Sequence, residues 1–236
     1  MRNEVEMSYT ATSLFLQEIV KNKNNNKFGQ LSQSIGYNLV REIGRVSILD
    51  VCCGLGNFAN YLSLVYTQLD VTGIDLNEKF LGYAQNKFPS WRFLKEDARN
   101  FNLDSEFDFV LASSAYHHIE DEHKIQFLKN IKNHLSSTGK VIVCENFIPN
   151  YLNNDSRLKA IHQYYQELKD YYSSGNSSPE AFLAIEEVYQ LELSGKEEHK
   201  VDFKRFQNHI LQSGLEIEVD KIIWQPLLFR KSNAGS

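Results

Sequence analysis

Three cysteines in 236 residues are too few to staple a fold, and two of them, Cys52 and Cys53, are neighbours. A disulfide framework is therefore excluded. Cys52, Cys53 and Cys144 also lack ligand spacing with the histidines, so no metal is expected. No apolar run is long enough to cross a bilayer, and Met1-Arg-Asn-Glu does not open a signal peptide. A cytoplasmic address with no membrane partner is the expectation. Basic patches are missing as well. The 25 Lys and Arg are interspersed with 30 Asp and Glu, for a net charge of −5. Nucleic acid is not an implied partner. What remains is ordinary globular composition, long enough for one large α/β domain or for one domain with a substantial insertion.

The chain is organised around Val46-Ser-Ile-Leu-Asp-Val-Cys-Cys-Gly-Leu-Gly-Asn-Phe-Ala-Asn-Tyr-Leu62. Val46 to Val51 is an apolar run too short for a helix, and it reads as a buried strand. Gly54 and Gly56 mark a tight turn where the backbone must bend and admit a ligand. Phe58, Leu62 and Val65 then recur near helical spacing. Strand, glycine turn and helix open a nucleotide-binding α/β domain. Gly54-x-Gly56-x-x-Ala59 formally fits the dinucleotide fingerprint, so NAD stays open. Asp50, just ahead of the turn, would repel a pyrophosphate. It suits a ligand carrying positive charge, and S-adenosylmethionine has a sulfonium, an ammonium and no phosphate.

Leu49-Asp-Val-Cys-Cys-Gly-Leu-Gly56 resembles motif I of the class I S-adenosylmethionine-dependent methyltransferases. The likeness covers roughly residues 40 to 146 and continues more weakly to the C-terminus. That family usually has glycine where this chain has Cys52. The resemblance implies a seven-stranded, mostly parallel sheet in the order 3-2-1-4-5-7-6, its last strand antiparallel, with helices on both faces. It also implies a cofactor set of Asp50, Cys52, Gly54, Gly56, Asp75, Leu76, Asp97, Ala98 and Ser113. Asp97, in Lys95-Glu-Asp-Ala98, resembles the residue that receives the adenine amino group.

The rest of the chain reads consistently with a single core carrying additions. Residues 1–45 read as helical, a lid in similar enzymes, with Tyr9 and Tyr37 as substrate candidates. The core spans 46–148. Val71 to Asp75 is a second strand ending in an acid able to accept both ribose hydroxyls. Asn77 caps a helix that runs to Lys87 and is stopped by Pro89. Trp91 to Leu94 and Phe107 to Ala112 are the third and fourth strands. Asp50, Asp75 and Asp97 thus fall at or near three successive strand ends, which lie side by side in a parallel sheet. Glu120 to Leu135 reads as a helix ended by Thr138-Gly139, and Lys140 to Cys144 as the fifth strand. Residues 149–198 form a helical insertion, a substrate cap or a dimer interface. It runs from Asn153 to Tyr172 and from Pro179 to about Leu193, and Tyr164 and Tyr165 in it are substrate candidates. Residues 199–231 complete the core with a helix from Val201 to Ser213 and two edge strands, Leu215 to Val219 and Lys221 to Arg230.

The stretch Ser113-Ser-Ala-Tyr-His-His-Ile119 resembles the segment after the family's fourth strand. This implies Tyr116, His117 and His118 beside the transferable methyl. A histidine there can take a proton from an attacking hydroxyl or amine. Glu145 is a further substrate candidate. No Asn-Pro-Pro-Tyr-type motif follows the fourth strand, which argues against methylation of amides and base amines. The expectation is methyl transfer to a small-molecule O or N acceptor by a monomer or homodimer. The alternatives are a carboxy-S-adenosylmethionine synthase-like enzyme, for which Leu158 to Lys204 offers no arginine, and a non-catalytic cofactor-binding module.

Overall fold

The computed structural model describes residues 45–63, 68–173 and 179–217. They fall into two compact units, one of residues 45–145 with 205–217, the other of residues 146–204.

The first unit is built on five parallel strands: β1 (Val46–Val51), β2 (Leu69–Asp75), β3 (Arg92–Lys95), β4 (Phe107–Ser113) and β5 (Leu135–Cys144), in the order β3-β2-β1-β4-β5. A parallel sheet is covered on both faces, so its central strand is apolar throughout rather than alternating. Accordingly Ile48, Leu49 and Val51 of β1 are fully buried, although their side chains point to opposite faces. One face gathers Val46, Ile48, Phe58, Ala59, Val71, Phe109 and Leu111. Burying each large apolar side chain contributes about 1.5–3 kcal/mol. At the far end of β1, Ser47 N–H and Oγ–H both donate to Asp108 Oδ2, at 2.9 and 2.8 Å, and Asp108 N–H donates back to Ser47 Oγ at 3.0 Å. This pins the register of β1 against β4.

Three helices belong to this sheet region: α1 (Asn57–Ser63), α2 (Glu78–Lys87) and α3 (Lys124–Asn133). Asn77 caps α2 as its position predicts, its Oδ1 accepting from Lys79 N and Phe80 N at 3.0 and 3.3 Å. The segment expected to be one helix from Glu120 to Leu135 is shorter and differently built. Two 3₁₀ turns, Tyr116–His118 and Asp121–His123, precede α3. His134 ends it, with its ring Nδ1–H donating to Asn130 O at 2.8 Å while Nε2 accepts from Leu103 N at 3.1 Å. The fifth strand begins at Leu135, not at Lys140. Leu135 pairs with Phe107 and Lys140 with Phe109, so Ser136 to Gly139 lie in an irregularity within the strand. Gly139 permits it, because a Cβ there would stand 2.8 Å from Phe107 O.

The second unit carries α4 (Asn154–Ser173) and α5 (Pro179–Ser194), close to the boundaries read from the sequence. Ile148, Tyr151, Ile161, Tyr164, Tyr165 and Leu168 form much of its core, and Ile148 bridges Asp202 in parallel. A charged network is buried in it. Lys200 Nζ meets Tyr165 Oη at 3.1 Å, Glu192 Oε2 at 3.3 Å and Glu198 Oε2. Arg157 Nη2 reaches Glu192 Oε1 at 2.8 Å. A last helix, α6 (Phe203–Ser213), is where the sequence places it. Leu215 to Ile217 hold no regular structure. The remainder of the two expected edge strands, the N-terminal lid, Tyr9 and Tyr37 lie outside the described residues. No helix among the described residues is long and apolar enough to cross a membrane.

Candidate functional site

The carboxyl ends of β1, β2 and β3 bring the three acids to one edge of the sheet, where ligands of open α/β sheets bind. Parallel pairing sets this directly, because Asp50 lies level with Gly73 and Asp75 with Lys95.

The turn after β1 is held in the left-handed region at three positions. Cys52 has φ 56°, Gly54 φ 52° and Gly56 φ 70°. Glycine takes that conformation freely; a residue with a Cβ pays roughly 1–2 kcal/mol. The glycine that the resemblance implies at this position would suit this conformation better than Cys52 does. A Cβ on Gly54 would meet nothing within 4 Å, so its backbone faces open space. Gly54 N–H donates to Asp75 Oδ2 at 2.9 Å, and Asn77 N–H to Asp75 Oδ1 at 2.8 Å. The ends of β1 and β2 are thereby tied through a single carboxylate. Gly73 of β2 serves close packing, since a Cβ there would lie 2.7 Å from the Phe93 ring and 2.9 Å from Cys53 Sγ.

Charge in the crevice is mostly negative. Asp50 is 2% exposed, and its Oδ2 has no hydrogen-bond partner. Burial, and then the Asp75 carboxylate, push its carboxyl up to about 7, against a donation from Ala59 N–H. The Cys52 thiol is pushed up by burial first, then by the carboxylates of Asp75, Asp50, Asp97 and Glu145. Asp97 is different, because the Arg99 guanidinium beside it holds its carboxyl below the usual range. Leu76, next to Asp75, is 57% exposed, Ala98 is buried and Ser113 is half-buried.

The orphaned Asp50 oxygen, the open backbone at Gly54 and the set of acids fit a ligand with a cationic amino-acid end, a ribose and an exocyclic amine. They fit a pyrophosphate poorly, since a buried carboxylate repels it.

At the ends of β4 and β5, His117 Nδ1 lies 2.6 Å from Glu145 Oε1, and His117 N–H donates to Glu145 Oε2 at 3.1 Å. The Glu145 side chain is 1% exposed. Glu145 was expected to touch substrate, but its carboxylate is turned onto His117. A carboxylate accepts, so the His117 Nδ1 facing Glu145 carries the hydrogen. His118 is exposed, its ring 4.2 Å from that of His117. Tyr116 points the other way. It is 1% exposed, with its hydroxyl 2.6 Å from His209 Nδ1 and its ring edge-on to Phe206. Beneath the turn, buried Lys124 donates from Nζ to Tyr116 O at 2.8 Å and Ile119 O at 2.6 Å. Tyr164 and Tyr165, expected at a substrate wall, are core residues of the helical unit.

Arg99, Lys124 and His209 escaped the sequence reading. Only Arg99 left a trace there, as a base two residues after an acid in a turn.

Residues 48–139 match a family described as a methyltransferase domain. A demethylmenaquinone methyltransferase from Thermotoga maritima is 26% identical over 113 residues, 48% of this chain and 48% of that protein. A phthiotriol/phenolphthiotriol dimycocerosates methyltransferase from Mycobacterium tuberculosis is 34% identical over 79 residues, 32% of this chain and 29% of the other. The chain thus spans about half the length of the curated relatives it matches, or less. The plantazolicin methyltransferase BpumL, solved with a monoazolic desmethylPZN analog and SAH, superposes with a TM-score of 0.57 at 20% identity, covering 86% of this chain and 67% of that one. The plantazolicin methyltransferase BamL does so at 0.58 and 12% identity, covering 86% and 66%. These two likenesses establish the fold. The glycine turn and the three acids fall within residues 48–139, the stretch that matches a methyltransferase domain.

Proposed function

We propose that this chain transfers a methyl group from S-adenosylmethionine to a hydroxyl or amine of a small organic acceptor, with His117 as general base. The observation that carries this reading is the His117–Glu145 pair at the same sheet edge as Asp50, Asp75 and Asp97. A buried carboxylate that fixes the orientation of a histidine and favours its charged form is the arrangement a general base uses. The names of relatives such as the demethylmenaquinone methyltransferase point to small acceptors.

When bound, S-adenosylmethionine supplies an electrophilic methyl on a sulfonium. Asp75 would hold its ribose, Asp97 its exocyclic amine, and Gly54 and Gly56 would let the backbone come close. Asp50 answers positive charge at the amino-acid end. His117 Nε2 takes the proton of the attacking hydroxyl or amine, and Glu145 steadies the imidazole meanwhile. Ordering of the acceptor, with water excluded, supplies the rest. A carboxy-S-adenosylmethionine synthase-like reaction would need an arginine for the extra carboxylate. Arg157, just before the arginine-free stretch, gives its Nη2 to Glu192 and to Lys200 O, which supports the methyltransferase reading over that one.

Calorimetric titration with S-adenosylmethionine, S-adenosylhomocysteine and NAD tests the cofactor. Micromolar binding of the first two and none of NAD is expected; NAD binding alone would return the chain to the dehydrogenases. Replacing His117 by Ala should then slow turnover of an identified acceptor by about 10²–10⁴-fold with S-adenosylhomocysteine affinity intact. An equally active variant would leave the histidine a packing role.

A further inference from the structure

We infer that Arg99 is the positioning residue for purine recognition, fixing the Asp97 carboxylate so that it accepts from a 6-amino group and rejects a 6-oxo group. The inference rests on the cofactor reading above and names a part of the site that the sequence did not show.

The geometry is a clamp. Arg99 Nε lies 3.0 Å from Asp97 Oδ1 and 3.1 Å from Oδ2, and Nη2 lies 2.6 Å from Oδ2. Arg99 N–H adds a bond to Oδ1 at 2.9 Å. A planar fork on a carboxylate sets the plane of the carboxylate as well as its charge. The other arm of the fork is anchored in turn. Nη1 reaches Glu120 Oε1 at 3.3 Å and Oε2 at 3.5 Å. Arg99 is therefore fixed at both ends, between the loop after β3 and the segment that follows the His117–His118 turn. The backbone of the loop is closed beneath it, with Asn100 N–H and Phe101 N–H donating to Asp97 O at 3.0 and 2.8 Å.

The consequence for a ligand comes from counting acceptors. A carboxylate offers about four lone-pair positions. Oδ1 receives the Arg99 main-chain N–H and Nε–H, and Oδ2 receives Nη2–H with a share of Nε–H. One position on Oδ2 is left in a fixed direction. It is an acceptor and never a donor, since the guanidinium keeps the carboxyl ionised. An exocyclic amine satisfies it, whereas a carbonyl oxygen in the same place sets acceptor against acceptor. A site built for one hydrogen-bonding pattern rejects the opposite pattern because a polar group is left unpaired. Without Arg99 the carboxylate can rotate, and the distinction fades.

The test compares S-adenosylhomocysteine with S-inosylhomocysteine, its 6-oxo counterpart, by calorimetry on the full chain. The wild type should prefer the adenosyl compound by about 100-fold. Arg99→Ala should weaken S-adenosylhomocysteine at least 10-fold and S-inosylhomocysteine less than 3-fold, so the preference collapses. Arg99→Lys keeps the charge without the fork and should restore less than half of the loss on a logarithmic scale. In an Asp97→Asn background, Arg99→Ala should change either affinity less than 2-fold, because the arginine acts through the acid. Equal weakening of both compounds by Arg99→Ala, or full rescue by lysine, would overturn the inference and leave Arg99 a structural brace. A wild type that binds neither compound would remove the cofactor reading itself, and this inference with it.

Discussion

Both units bury charge, and they do so in opposite ways. In the helical unit, Lys200 and Arg157 face Glu192 and Glu198, two cations against two anions, with Tyr165 closing the set. At the sheet edge, Asp50, Asp75, Asp97 and Glu145 crowd one thiol, and Arg99 answers only Asp97 among them. Each cluster leaves one buried polar atom without a partner, Arg157 Nε in the first and Asp50 Oδ2 in the second. The first is balanced in charge, whereas the second is acidic and would be offset by a cationic ligand. The difference teaches where to look for function: burial of charge marks neither case alone, whereas the balance of partners separates them.

The comparison breaks most visibly through Lys200→Met. Removing the cation takes the shared ammonium away from two buried carboxylates, Glu192 and Glu198, which should cost about 3–5 kcal/mol of stability in denaturant titration. Affinity for S-adenosylhomocysteine in the folded protein should not change. An unchanged unfolding midpoint would mean the network is incidental.

Next comes Asp50, through pH. Its folded carboxyl titrates at about 7 against an ordinary 3.8. Between these values the folded chain holds a proton that the unfolded chain has released. Stability without ligand should therefore fall as pH rises from about 4 through 7. At about 1.4 kcal/mol for each tenfold change in proton affinity, the loss is at most about 4 kcal/mol. A cationic ligand favours the ionised form, so S-adenosylmethionine should bind more tightly as pH rises through 7. Asp50→Asn should flatten both trends in thermal melts and titrations; a wild type already flat would remove the assignment.

Asp75→Ala should weaken S-adenosylmethionine by about 1.5–3 kcal/mol through lost charge-assisted hydrogen bonds, and calorimetry reads this directly. Unchanged affinity would sink the ribose role. The smallest effect belongs to Cys52→Gly. It removes a left-handed residue with a Cβ, a gain partly offset by glycine's entropy, for a net stabilisation of about 0.5 kcal/mol in denaturant titration.

Local chemistry made much of this legible beforehand. The run Val46–Val51, the Asn77 cap and Pro179 at the start of α5 are short-range signals, and the structure follows them. The three acids were legible because strand ends in a parallel sheet are neighbours by rule. Periodicity failed between Glu120 and Gly139. Apolar spacing there continues across two 3₁₀ turns and into β5, and only the pairing of Leu135 with Phe107 decides where helix stops and strand starts. The Glu145 role was hidden for a different reason. Its partner is 28 residues away, and nothing local in Glu145-Asn-Phe147 says which way a carboxylate turns.

Lys124 holds the histidine turn by its carbonyls, at Tyr116 and Ile119, and so is indifferent to the side chains at 117 and 118. The shape of that loop is thus separable from its chemistry. Position 118, which is exposed, can be rewritten without touching the His117–Glu145 pair: a library randomised there should stay folded.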